Sequence, residues 1–82
     1  SSLANSVFSK LTPTEISQVN NLNDLSLLQI KRVKALNQEY NDGEIKRKDY
    51  LTAMDGFKSS YINAKNEING IAVNAEEKFK NK

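Results

Sequence analysis

From Tyr50 onward an apolar residue recurs at alternating steps of four and three: Tyr50, Met54, Phe57, Tyr61, Ala64, Ile68, Ile71 and Ala75. A mean step of 3.5 residues is the period of a helix that lays one seam along a neighbouring helix. A half-buried strand would alternate every second residue instead. The seam covers more than three heptads, roughly 38 Å of helix at about 1.5 Å per residue. Leu51 and Ile62 flank it. Gly56 and Gly70 weaken it, each by about 1 kcal/mol relative to Ala in a helix interior. Asn69-Gly70 would serve as a stop, with Ile71 to Phe79 as a separate tail helix. The seam continues past Gly70, so the expectation is one long helix over 46–80, either straight or bent near Gly70. Its last residues, Glu76 to Lys82, read as a solvated end, with Lys78, Lys80 and Lys82 suited to a helix C-terminus. Such a seam serves either the interior of the chain or a partner surface.

The first half supplies what the seam would pack against. Thr12-Pro13-Thr14-Glu15 is a helix start: Thr12 caps the Glu15 amide, Glu15 reaches back, and Pro13 loses nothing at the first helical position. Leu11 and Ile16 are spaced for a hydrophobic staple across that cap. A helix over 13–21 is expected, burying Ile16 and Val19. Asn20-Asn21-Leu22-Asn23-Asp24 then reads as a break, because Asn and Asp side chains compete for backbone groups. A second helix over 24–41 would start on Asp24 and present Leu25, Leu28, Val33, Leu36 and Tyr40, widened by Leu27, Ile30 and Ala35. Asn41-Asp42-Gly43 ends it, with Gly43 in the left-handed position after the helix. Leu3, Val7 and Phe8 mark a short or frayed helix over 1–11. The expected fold class is therefore all-α: a small three- or four-helix bundle built on a long antiparallel helical hairpin. The 13–21 helix would pack across that hairpin through Ile16 and Val19. At 82 residues the chain is expected to form a single domain.

Composition narrows the chemistry. There is no Cys and no His, and the apolar fraction is 38%. The usual thiol nucleophile, the commonest general base and the commonest soft metal ligands are all absent. The window from Gln38 to Asp49 places Gly43 sixth, as a calcium loop would. Its first and third positions are Gln38 and Tyr40, however, and its last is Asp49 rather than a bidentate Glu. A tight interhelical turn is the better reading. Asp42 with Glu44, and Asp49 with Asp55, lie in a polar, charge-balanced stretch rather than in the unlike environments that acid–base catalysis needs. The chain is read as non-enzymatic, with no catalytic residue, cofactor, metal or small-molecule substrate. No apolar run approaches the ~20 residues of a membrane span.

Surface recognition remains. The leading expectation is a protein-interaction domain that binds itself or a helical partner through Tyr50, Leu51, Phe57 and Tyr61, with the tyrosine hydroxyls suited to a partly wet interface. An alternative is a nucleic-acid-binding or regulatory protein using Lys31, Arg32, Lys34, Lys46, Arg47 and Lys48 against phosphates. The overall charge of +2 is small for that role. Asp42, Glu44 and Asp49 also interleave with the second cluster. A third reading is an exported or envelope-associated inhibitor or immunity-type protein that acts by docking. A start at Ser1 rather than Met fits removal of an N-terminal signal or excision from a longer protein, so the expectation is a soluble protein, cytoplasmic or exported.

Residues Val33 to Asp55 resemble the short bacterial helical hairpin called the SHOCT domain. The matching stretch runs from Leu36 through Tyr40-Asn41-Asp42-Gly43-Glu44-Ile45-Lys46-Arg47-Lys48-Asp49-Tyr50. Gly43, Ile45, Asp49 and Tyr50 occupy the family positions. Lys46 replaces the usual capping Thr or Ser, and Lys48 replaces an acid. The resemblance covers about a quarter of the chain. It implies oligomerisation or docking without enzymatic activity.

Overall fold

The computed structural model describes residues 9–80. Over that range the chain forms two long helices packed side by side and antiparallel, α1 (Pro13–Asn41) and α2 (Arg47–Lys80). The molecule measures 57 by 20 by 18 Å.

α1 begins where local chemistry dictates. Thr12 is extended, its Oγ1 accepts from the Glu15 N–H at 3.2 Å, and Glu15 Oε1 accepts from the Thr12 N–H at 2.9 Å. The bond from the Thr12 backbone holds the Glu15 carboxyl below its ordinary value of 4.5. α1 ends in a Schellman turn. The Glu44 N–H reaches Glu39 O at 2.9 Å and the Gly43 N–H reaches Tyr40 O at 3.1 Å, with Gly43 at φ 74. Gln38 Nε2 also donates to Asp42 Oδ1 at 2.9 Å. The chain then enters α2, where the Tyr50 N–H bonds Lys46 O.

The tyrosines beside the turn fasten the two arms. Tyr40 and Tyr50 stack with ring centroids 4.3 Å apart. Tyr50 Oη donates to Asn37 Oδ1 at 2.6 Å, and Arg47 Nη1 donates to Tyr40 Oη at 3.5 Å. At the far end Lys10 Nζ lies 3.4 Å from Glu76 Oε1 and 5.1 Å from the Phe79 ring centre.

The expected break at 20–24 is absent, and α1 runs unbroken from Pro13 to Asn41. Asn20, Asn21, Asn23 and Asp24 all face solvent, so their side chains leave the helical backbone bonds intact. Leu22 packs on the seam, and tertiary packing outweighs a modest local propensity penalty. The 13–21 segment is therefore the first turns of α1 and not a helix crossing the hairpin. Of the expected short helix over 1–11, residues 1–8 lie outside the described range, and 9–11 are irregular. A third or fourth helix is not found among the described residues.

Continuity changes which face of α1 is buried. The inward residues are Val19, Leu22, Ser26, Gln29, Val33, Leu36 and Tyr40, in steps of three and four. This is one heptad phase over the whole helix, and it passes through two polar residues. Leu25 and Leu28, expected inside, are 43% and 40% exposed, whereas Ser26 and Gln29 are 0% and 2% exposed. A separate 24–41 helix could have chosen the leucine face. A continuous helix must keep the phase set by Val19 and Leu22, and that phase turns the leucines outward.

On α2 every residue of the heptad seam is buried or half-buried. The helix passes Gly56 and Gly70 without a break. Taking the Tyr40–Tyr50 stack as register, antiparallel counting places Leu36 level with Met54, Val33 with Phe57, Gln29 with Tyr61, Ser26 with Ala64, and Leu22 with Ile68. Small Ser26 faces small Ala64, so the two backbones can approach there.

Candidate interaction surface

The two polar residues in the α1 seam displace apolar ones to the outside. Leu25, Leu27, Leu28 and Ile30 fall within six positions and are all exposed. Helical geometry at about 100° per residue puts Leu27 and Ile30 on one flank of the seam and Leu25 and Leu28 on the other. On α2 the exposed large apolar residues are Leu51, Ile62, Val73 and Phe79.

Ile30 and Ile62 meet on one side of the hairpin. There an apolar groove of about 550 Å³ runs between the helices, lined by Gln29, Ile30, Val33, Lys34, Phe57, Lys58, Tyr61 and Ile62. It continues onto α1 in a shallower depression bordered by Asp24, Leu27, Leu28, Ile30, Lys31 and Lys34. The charged groups around this side are mostly lysines. Lys31, Lys34 and Lys58 are exposed, and among the described residues the one ion pair is Lys10 with Glu76. The Lys65 ammonium lies 5.7 Å from the Tyr61 ring centre.

The opposite side differs in character. Its grooves mix small and polar residues with apolar ones: Gln18, Asn21 and Asn74 beside Leu22 and Ile71 in one, Ala35 and Ala53 beside Leu36, Ile45 and Phe57 in another. Its carboxylates, Glu39, Asp49 and Glu67, line those grooves. The two sides thus differ chiefly in charge, lysines edging the Ile30–Ile62 groove and Glu39, Asp49 and Glu67, with Arg32, edging the grooves opposite.

The interaction residues expected from sequence separate into two groups. Phe57 and Tyr61 line the groove, half-buried, with the Arg32 guanidinium carbon 5.9 Å from the Phe57 ring centre. Tyr50 is engaged in the Tyr40 stack near the turn. Leu51 is exposed, but it lies outside the groove. Ile30, Val33 and Ile62, read from sequence as part of or beside the apolar stripes, also line the groove and were not expected among the interaction residues. The usable signal was the heptad phase of α1, which places Ile30 beside the seam once 20–24 is read as helix.

The six basic residues do not form one patch. Lys34 lines the apolar groove and Lys31 borders its continuation, while Arg32 borders the other side of α1. Lys46, Arg47 and Lys48 sit at the turn, about 13 Å along the axis from Lys34 at 1.5 Å per residue. Among the described residues no helix is long and apolar enough to cross a membrane. The chain matches no family model, and no curated protein or solved structure is significantly similar to it.

Proposed function

We propose that this hairpin is a non-catalytic protein-interaction module whose working surface is the apolar groove of Ile30, Val33, Phe57, Tyr61 and Ile62. The observation that carries the reading is the uncovered apolar side beside a seam that buries Ser26 and Gln29. A chain under no demand to bind would gain by exchanging those positions, since exposing a Leu or Ile forgoes about 1.5–3 kcal/mol relative to burying it. Contiguous exposed apolar patches rimmed by polar groups mark binding surfaces. A helix laid into the groove would complete a three-helix arrangement, and a second hairpin would complete a four-helix one. The resemblance of residues 33–55 to the SHOCT hairpin supports the same class of role.

The test is site-directed photo-crosslinking from position 58, on the groove rim, in an extract of the native cell. Adducts are expected, either with a second copy or with another protein, and Ile30→Asp together with Ile62→Asp should remove them. Both isoleucines are exposed, so the hairpin itself should survive the change. Absence of any protein adduct, or adducts indifferent to the two substitutions, would refute the proposal.

A further inference from the structure

Charge is unevenly placed around the groove. Among the described residues that line it, the charged side chains are Lys34 on α1 and Lys58 on α2, with no carboxylate. Both lysines are exposed, and neither is ion-paired within the described part of the chain. In the register set by Tyr40 and Tyr50 they stand within two positions of level, about 3 Å along the axis, on opposite banks. Lys65 follows Lys58 by seven residues, so it lies on the same flank of α2 about 10 Å further along. Its head is exposed and lies over the Tyr61 ring. Between the banks the floor is apolar: Ile30, Val33, Phe57, Tyr61 and Ile62. Exposed Leu27 extends it along the flank of Ile30. On the Lys58 flank of α2 the neighbouring carboxylate is Asp55, nearer the interhelical turn and not ion-paired with Lys58.

We infer that the occupant of the groove is an acidic amphipathic helix of another protein, its apolar ridge seated on Ile30, Val33, Phe57, Tyr61 and Ile62 and its flanking carboxylates set against Lys34, Lys58 and Lys65. This rests on the proposed interaction role and names the chemistry of the partner. Shape selects a helix, because a trough between two packed helices receives a third one. From Lys58 to Lys65 the trough spans about two turns. A helix with apolar residues at steps of three and four carries flanking positions on both sides of that ridge, so acids there meet a lysine on each bank. Charge selects the acids, since lysines without carboxylates of their own attract an acidic flank and repel a basic one. The same features disfavour other occupants. A second copy placed groove to groove would oppose the same lysines. Its carboxylates Glu39, Asp49 and Glu67 line grooves rather than flank a projecting apolar ridge. A flat anionic bilayer would reach the lysines and leave the floor of the trough unfilled, and nucleic-acid phosphates gain nothing from an apolar floor.

The experiment uses three synthetic helices of three heptads, about 21 residues each, that share one Leu stripe at a and d and carry Glu, Gln or Lys at the e and g flanks. The full chain is titrated into trace labelled peptide at low and high salt, and binding is read by fluorescence anisotropy. The Glu-flanked helix is expected to bind about fivefold tighter than the Gln-flanked one, as two or three exposed ion pairs supply. Its advantage over the Lys-flanked one should be about tenfold or more, shrinking as salt rises. Lys34→Glu together with Lys58→Glu should invert the order. The same change at Lys46 and Lys48, outside the groove, should leave it as in wild type. Ile30→Ser together with Ile62→Ser should weaken the Glu-flanked helix about tenfold. All six positions are exposed, and far-UV circular dichroism would confirm that each variant remains helical. Equal affinity for the three helices, no binding at several hundred micromolar chain, or a preference that survives the Lys34 and Lys58 reversal would overturn the inference. So would dimerisation of the wild type in light scattering that the two serines remove, which would assign the groove to a second copy. Capture by vesicles of phosphatidylserine and phosphatidylcholine (roughly 30:70) that the serines remove would assign it to lipid and overturn the inference too. Crosslinked adducts from position 58 that need Ile30 and Ile62 but ignore Lys34→Glu would sink this inference and leave the interaction role standing.

Discussion

Gln29 is the residue whose replacement tests the packing most directly. It is 2% exposed in the middle of the seam, and its Nε2 donates to Leu25 O at 3.3 Å while its Oε1 has no partner. Leu25 O already accepts the helical bond from the Gln29 N–H, so the side-chain bond is an addition rather than a necessity. Gln29→Leu keeps the shape nearly constant. It relieves an orphaned acceptor, worth about 1–3 kcal/mol, and forfeits a long bond worth about 0.5–1 kcal/mol. The new methyl groups would meet Val33 and Tyr61, which line the same space. The expected net effect is a gain of about 1–2 kcal/mol. For a chain this short that raises Tm by about 5–15 °C. Thermal and urea melts followed at fixed protein concentration by far-UV circular dichroism would measure it. Ser26→Ala serves as the contrast. The Ser26 hydroxyl is satisfied by Asn23 O at 2.7 Å, so no orphan is relieved and a loss of about 0.5–1 kcal/mol is expected. If Gln29→Leu proved no more stable than wild type, Oε1 would have a partner in solution, and the polar layer would be no source of weakness.

The glycines should divide by backbone conformation. A Cβ at Gly56 or Gly70 meets nothing within 4 Å, so Ala at either should add about 0.5–1 kcal/mol. Gly43 is at φ 74, so Ala there should cost about 1 kcal/mol despite equally open space, and urea titration of the three variants should give opposite signs. The capping box should leave a pH signature. Glu15 is bonded to the Thr12 amide and its folded pKa is lowered. Its contribution is therefore present above the unfolded value and lost as pH falls through the folded one. The stability gap between wild type and Glu15→Ala is expected to be constant near neutral pH and to narrow once pH drops below 4.5. A gap unchanged into strong acid would mean that the carboxylate charge plays no part in the cap.

Much of the fold was legible in advance wherever one physical cause acted alone. The Thr12 cap, the Gly43 turn and the α2 seam each depend on residues close in sequence, and each is found in place. The Asn-rich stretch misled for a definable reason. Asn20, Asn21, Asn23 and Asp24 favour turns when the chain is considered locally, but they lie on the solvent side of a helix that α2 supports along its length. The groove was illegible for the same reason. Its position depends on the phase of α1, and assuming a break reset that phase at Asp24. Phe57 and Tyr61 were visible as seam residues because α2 carries a single unbroken period.

The linear order of residues was enough to determine that the chain is helical, where the two arms turn, and which stripe of α2 is buried. These follow from periodicities and backbone preferences that act over a few residues. Tertiary packing alone decided that α1 is one helix, that Ser26 and Gln29 occupy its seam, and that Leu25, Leu27, Leu28 and Ile30 face outward. A helix of 29 residues has one phase. Against a continuous partner that phase is chosen by the best sum over all its layers, even when two of them must be polar.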